Sequence, residues 1–244
     1  MGQTVTITYL LNSGYLVEGD GWTLVFDDYQ DPPGAVEQAL ARGGRCFFFV
    51  SHAHFDHFSP EIRRFADRTE RYILSDDIKG LAEGRRFPAD KTVWLGKYDG
   101  WEGEGIKVTS FDSTDQGTSF LVEIGGWRIF HAGDFNWWHW YDESDEDNKL
   151  AKNGFMKQMK KLDGLDADLA FFPADGRLWD ARSLGPKEFC RRTAVKALAT
   201  MHSVGYPRWQ PEPDFFAPGR EIPVWAPDTP GERRTLTQGG EFTS

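Results

Sequence analysis

The sequence is poor in residues that staple or anchor a chain. Only two cysteines occur among 244 residues, Cys46 and Cys190. Cys46 begins an apolar run and Cys190 falls in a predicted helix, so both are expected as buried apolar thiols rather than as a disulfide. No segment approaches the roughly 20 apolar residues that cross a bilayer. "MGQTVTITYL" has no basic patch followed by an apolar core, and a cytoplasmic location is expected. Positive charge is also short: 28 Lys and Arg face 38 Asp and Glu, a net charge of -10. That balance argues against nucleic acid or an anionic membrane as partner and leaves a small-molecule substrate. What the chain does have is apolar and aromatic material. Hydrophobic residues make up 39% and aromatics 15%, enough at this length for a substantial core.

The first third reads as strands. "TVTITYL", "YLVEGD" and "WTLVFDD" are rich in Val, Ile, Thr and aromatics, with a turn signal in "EGDG". "AVEQALARG" has the spacing of a short helix, and "RCFFFV" is a continuous apolar run that fits a strand buried on both faces. Ser59-Pro60-Glu61 has the form of a helix start, with Ser59 as cap. Further strands are predicted in "RYILSDD", "TVWLG", "IKVTSF", "ADLAFFPAD" and "ALATM", and a hairpin turning at Gly125-Gly126. Helices are predicted over 149–162, interrupted by Gly154, and in "GPKEFCRRTAV". Beyond Gly205 the chain holds seven of its 13 prolines. That segment, from about 206, is expected to be irregular apart from one short strand at Val224-Trp225. No repeat or linker is evident, so residues 1–244 read as one α/β domain with two packed sheets.

The chemistry concentrates in "SHAHFDHF", which holds three of the six histidines. In an extended segment His52 and His54 point the same way, because side-chain direction repeats every two residues. Asp56 and His57 are adjacent and diverge unless the backbone turns, and the helix start near Pro60 demands such a turn. One loop can therefore offer one pair of ligands to one ion and a second pair to another. Imidazole with carboxylate is the ligand set of zinc and of iron or manganese.

The pattern His-x-His-x-Asp-His after an apolar strand resembles the signature of the metallo-β-lactamase-fold superfamily. "FHAGDF" resembles its later motif with a bridging aspartate, which falls on Asp134. "MHS" resembles its last motif, which falls on His202. "PDTPGE" resembles the chain ends of the branch that includes ascorbate-6-phosphate lactonase-like hydrolases. The resemblance spans most of residues 4–232. It implies an αββα sandwich of two mixed β-sheets with helices outside, and a metal-activated water as nucleophile. It also implies that His52 and His54 hold a first metal, that Asp56, His57 and His202 hold a second, and that Asp134 touches both. Asp56 would in addition orient the water or shuttle its proton.

One position departs from that pattern. The family supplies a further first-site histidine before the "GD" motif, yet no histidine occurs from Ser75 to Phe130. Asp112, Thr114 and Asp115 in "FDSTDQGTSF" are the polar residues near the expected place, and Asp115 is favoured because it precedes Gln116-Gly117. With a carboxylate there the first site hardens toward manganese or iron; with nothing there one ion remains. Zinc is the first expectation, with one or two ions.

The remaining candidates surround this set. His131 lies three residues before Asp134, faces the other way on a strand, and is expected in the core or behind a ligand. The run Trp137, Trp138, His139, Trp140, Tyr141 is either a satellite apolar cluster or an aromatic wall over the metals. Arg177 either pairs with Asp175 or binds an anionic substrate group. Asp27 or Asp28 can hold the histidine loop by hydrogen bonds. Together these residues predict a metal-dependent hydrolase of a small-molecule ester, lactone or phosphodiester. A non-hydrolytic metal-binding sensor is the alternative, and a nuclease a third reading that the acidic balance disfavours.

Overall fold

The same strand pattern occurs twice along the chain. In the computed structural model, which describes residues 2–244, β1 (Thr4–Tyr9), β2 (Tyr15–Gly19) and β3 (Trp22–Phe26) form an antiparallel meander. Helix α1 (Ala35–Ala41) then leads to β4 (Arg45–Val50), β5 (Arg71–Ser75) and β6 (Thr92–Leu95), each added in parallel. The second pass starts with the antiparallel strands β7 (Gly100–Gly103), β8 (Ile106–Asp112), β9 (Thr118–Ile124) and β10 (Trp127–His131). It continues through α2 (Asp145–Leu162), β11 (Asp166–Ala167), β12 (Leu169–Pro173), α3 (Leu184–Arg192), β13 (Ala194–Val195), β14 (Leu198–Met201) and β15 (Val224–Trp225). Strands β12, β14 and β15 lie parallel beyond β10, while β11 pairs only with β13. Finally β16 (Arg233–Thr237) and β17 (Phe242–Thr243) return to the first sheet, whose order is β17-β16-β1-β2-β3-β4-β5-β6.

Alternation along β4 explains the layers. Phe47 and Phe49 face the core between the sheets, where Phe49 meets Phe120 at 5.7 Å. Cys46, Phe48 and Val50 face the opposite way, toward α1 and the segment Pro60–Arg68, and Phe48 stacks on Phe65. On the outer face of the second sheet, Phe130 and Phe172 stack on Phe189 of α3, and Phe135 on Phe155 of α2. The result is four layers, αββα. Each fully buried aromatic contributes about 2–3 kcal/mol of apolar transfer energy, which is how the aromatic-rich composition is used. Both cysteines are buried and free. Among the described residues no helix is long and apolar enough to cross a membrane.

Three local readings change. The helix at Pro60 forms with Ser59 as its cap, accepting from the Glu61 amide, but winds as a 3-10 helix over Pro60–Arg68. Helix α2 begins at Asp145, not 149, because Ser144 caps it by accepting from the Asp147 amide, and Gly154 sits inside it without a break. The segment beyond 206 is not irregular throughout. Besides β15 it contains β16, whose Leu236 lies opposite Val5, and β17. The open edge of β1 supplies the backbone partners that make a strand of "RRTLT" despite the flanking prolines.

The parallel strands of each sheet point the same way, so the loops after β3, β4, β10, β12 and β14 gather at one edge of the sandwich. The first of these loops carries Asp28. Burial, and next the neighbouring Asp31, push its carboxyl up to about 7. A carboxyl raised above its unfolded value of 3.8 keeps its proton in the folded state while the unfolded chain releases it. Stability attached to Asp28 therefore falls as pH rises from about 4 to 7. Asp28→Asn is expected to stabilise the protein at pH 8 by about 2–4 kcal/mol and to be near neutral at pH 4. Denaturant melts at the two pH values check this; equal effects at both would refute it.

Candidate metal centre

Asp27 ends β3 with φ 43, a left-handed value that aims its side chain at the loop after β4. Its carboxylate accepts from the Ser51 amide (2.7 Å), the Ser51 hydroxyl (2.7 Å) and His57 Nδ1 (2.8 Å). The Ser51 hydroxyl has spent its proton on Asp27, so it accepts from His52 Nδ1 at 3.0 Å. One buried carboxylate thus orients two imidazoles, with Nε2 of His52 and of His57 directed into the site. The loop packs too closely for side chains beneath it. A Cβ on Gly117 would lie 2.1 Å from the Ser51 carbonyl oxygen, and one on Gly133 would lie 2.7 Å from Ser51 Cβ.

Two groups of potential ligands result. The first contains His52, His54, Asp115 and Asp134; the second contains Asp56, His57 and His202. In the second, Asp134 Oδ1 is 3.1 Å from His57 Nε2 and 3.4 Å from His202 Nε2, and Asp56 Oδ2 is 3.8 Å from each. In the first, His52 Nε2 is 3.0 Å from His54 Nδ1 and 3.5 Å from Asp134 Oδ2, while Asp115 Oδ2 is 3.8 Å from His54 Nδ1. A tetrahedron of bonds 2.0–2.1 Å long has edges of about 3.3 Å, so these spacings match ligands around one ion in each group. Asp134 presents one oxygen to each group.

The fit to a cation rests on unpartnered atoms. His57 Nε2, His202 Nε2 and Asp134 Oδ1 are buried and have no well-aligned hydrogen-bond partner among the described residues. Three such atoms converging on one point are costly in a dry interior, and a cation satisfies all three. The imidazoles are braced from behind. His202 Nδ1 donates to Asp175 at 2.8 Å, as His57 does to Asp27. His202 itself adopts φ 66 at the end of β14, and its amide donates to the Asn12 carbonyl.

The charges respond accordingly. Burial opposes protonation of His57, but Asp134 and Asp27 outweigh it and hold the imidazole well above its ordinary value. Burial also opposes ionisation of Asp134, yet His57 and His202 hold its carboxyl far below the carboxylate range. His52 goes the other way: burial, then His57, bring it down to about 4. Burial and Asp134 raise the Asp115 carboxyl. In the bare site the His57 proton balances Asp134, and a divalent cation takes over that balancing charge.

The other predicted residues divide. Trp138, Trp140 and Arg177 line the cleft above the ligands with Thr114 and Phe55. Trp137 does not. The Asn136 side chain accepts its amide and turns it toward α2, where it stacks on Phe155. His139 does not reach the metal ligands either; a tight turn to the Trp137 carbonyl places it in a neighbouring cavity. Arg177 both pairs with Asp175 through Nε and Nη2 and covers the Trp140 ring at 5.2 Å. His131 is a core residue: Nε2 donates to the Ser13 carbonyl, Nδ1 accepts from the Gly133 amide, and the ring stacks on Phe26. Asp112 faces away, toward Lys97 and Gln158. Two residues were not foreseen. Asn12 Nδ2 donates to Asp56 Oδ2 at 3.1 Å. Asp77 accepts from the Ala53 amide and from Gln116 Nε2, tying the histidine loop to the Asp115 loop. Neither carries a local signal, since each partner lies dozens of residues away in the chain.

No family model matches the chain. In sequence it is 28% identical to a UPF0173 metal-dependent hydrolase of Methanocorpusculum labreanum over 236 residues, 88% of this chain and 91% of that one. In structure it resembles Igni18, a metallo hydrolase of Ignicoccus hospitalis, with TM-score 0.60 and 16% identity over 96% of this chain and 98% of that one. It also resembles the metallo-β-lactamase-fold protein YhfI of Bacillus subtilis, with TM-score 0.59 and 13% identity over 96% of this chain and all of the other. The sandwich and its ligand-bearing edge give this chain the fold of these proteins, the metallo-β-lactamase fold.

The role of Asp27 gives a direct prediction. Asp27→Asn removes the charge behind His57 and disturbs the Ser51 relay to His52. Metal affinity is expected to fall about 10–100-fold, measured by competition with a chromophoric chelator. Unchanged affinity would show that the Asp27 contacts do not brace the ligands.

Proposed function

We propose that the protein is a metal-dependent hydrolase of a small-molecule ester, lactone or phosphodiester, working with two divalent cations. The observation that carries this is the floor of the cleft, where buried, unpartnered His57 Nε2, His202 Nε2 and Asp134 Oδ1 converge beneath an opening of about 580 Å³. The donor set of four imidazoles and three carboxylates suits zinc, with manganese or iron favoured if Asp115 serves in the first group. When bound, such cations polarise a carbonyl or phosphoryl oxygen and lower the pKa of water to about 7.

The chain's own residues complete the chemistry. His52, His54 and Asp115 hold one position, and Asp56, His57 and His202 hold the other, with Asp134 between them. Asp56 is positioned by Asn12, and its carboxylate faces the cleft, where it orients the attacking water and takes its proton. Arg177 Nη1 has no hydrogen-bond partner among the described residues, and that N–H pair binds an oxygen of the substrate. Asp56, Asp115, Asp134 and Glu143 line the cleft with the aromatic side chains, and among the described residues Arg177 is its one Lys or Arg. A polyanionic strand is poorly served there, which supports a small molecule over nucleic acid.

Chelator treatment is expected to abolish hydrolysis of whichever ester, lactone or phosphodiester proves active, with recovery on adding zinc or manganese. Activity that survives full metal removal would overturn the proposal. Asp115→Ala is expected to reduce metal content from two ions per chain to one by elemental analysis, whereas Asp134→Asn weakens both. Two tightly held ions in Asp115→Ala would remove Asp115 from the ligand set.

A further inference from the structure

Exposed large apolar side chains collect around this cleft. Phe55 sits on its lip, and Tyr141 and Trp179 lie just beyond Trp140, with relative exposures of 90% and 66%. Trp140 and Glu143 line the cleft and also a second cavity of about 440 Å³, whose far side is Leu178 and Trp179. The two spaces therefore adjoin at one indole. That indole is fixed in place: Trp138 stacks parallel to it at 5.7 Å, and the Arg177 guanidinium covers it. A rigid aromatic wall offers contact area at little entropic cost.

Trp179 is the informative residue. Its backbone has φ 49 and ψ -122, inside the stretch Gly176–Ser183. This is a conformation that glycine adopts freely and other residues resist. Its indole is mostly in water, and its one aromatic neighbour among the described residues is Tyr206, edge-on at 6.4 Å. Core packing therefore does not repay the strain. A strained backbone that holds a large aromatic out at a cavity mouth points to a ligand contact.

We propose that this second cavity is a subsite for a flat, uncharged aromatic portion of the substrate. Trp140 and Trp179 grip that portion while the scissile group lies over Asp134. The charge of the lining selects against an anionic group, since Glu143, Asp145 and Asp180 border the cavity and, among the described residues, no Lys or Arg does. The assignment of the scissile end rests on the hydrolase reading; binding in the subsite does not. The substrate is thus an amphiphile with a polar ester, lactone or phosphodiester at one end and an aromatic body at the other.

The test uses metal-free protein and 2-naphthol as probe, so it needs no turnover. In a titration followed by NMR, the indole N–H resonances of Trp140 and Trp179 are expected to shift together, with affinity read from the same curve. Trp179→Gly is expected to weaken binding about tenfold while its thermal midpoint stays level or rises, because glycine accepts the backbone conformation. Should that variant fail to fold, Tyr141→Ser, at a fully solvated position, is expected to weaken binding severalfold. Unchanged affinity in the folded variants would overturn the subsite, as would shifts confined to Trp138. A failure here leaves the hydrolase reading intact, and absence of hydrolysis leaves this binding result intact.

Discussion

The site depends on one buried carboxylate. Asp27 gathers the backbone and hydroxyl of Ser51 and the ring of His57, and through Ser51 it reaches His52. Every one of these contacts is made out of water, where a charge-assisted hydrogen bond is strong and a missing one is expensive. The strained φ of Asp27 is the cost of aiming that carboxylate at the next strand's loop. Asp175 repeats the arrangement behind His202. The imidazoles are thereby oriented before any cation arrives, so binding does not have to order them.

The two halves of the chain divide the ligands unequally. One loop of the first half supplies His52, His54, Asp56 and His57, held by Asp27 and Asp77. The second half supplies Asp115, Asp134 and His202 from three separate strand ends. The dense loop is braced on both flanks, by buried bonds to Asp27 and by a part-buried one to Asp77. The dispersed set lies beside Trp138, Trp140 and Arg177, so the side chains that line the cleft belong mainly to the second half.

Much of this was legible in the sequence because the signals were local. The histidine loop announces itself within a few residues, and the apolar run before it marks a strand buried on both faces. The four-layer arrangement followed from the resemblance that this loop opened. Asp115 could be singled out from its place before Gln116-Gly117, and it lies 3.8 Å from His54. What was illegible was long-range. Asn12 meets Asp56, and Asp77 meets Gln116, only after the sheets pack. Strand β16 depends on β1 for its partners. Trp137 and His139 lie in an irregular stretch, where no period of two or of 3.6 says which side chains face the cleft.

That pairing of β16 with β1 also governs the order in which the molecule can be assembled. The loop after β1 supplies Asn12, which steadies Asp56 by its side chain and His202 by its carbonyl. All the ligand residues leave the ribosome before β16 does, yet β1 keeps an open edge until β16 arrives. A nascent chain can therefore hold every ligand and still lack a settled centre. Contacts spanning so much of the sequence close slowly, and the nascent centre remains pliable until its oldest strand is joined by one of its youngest.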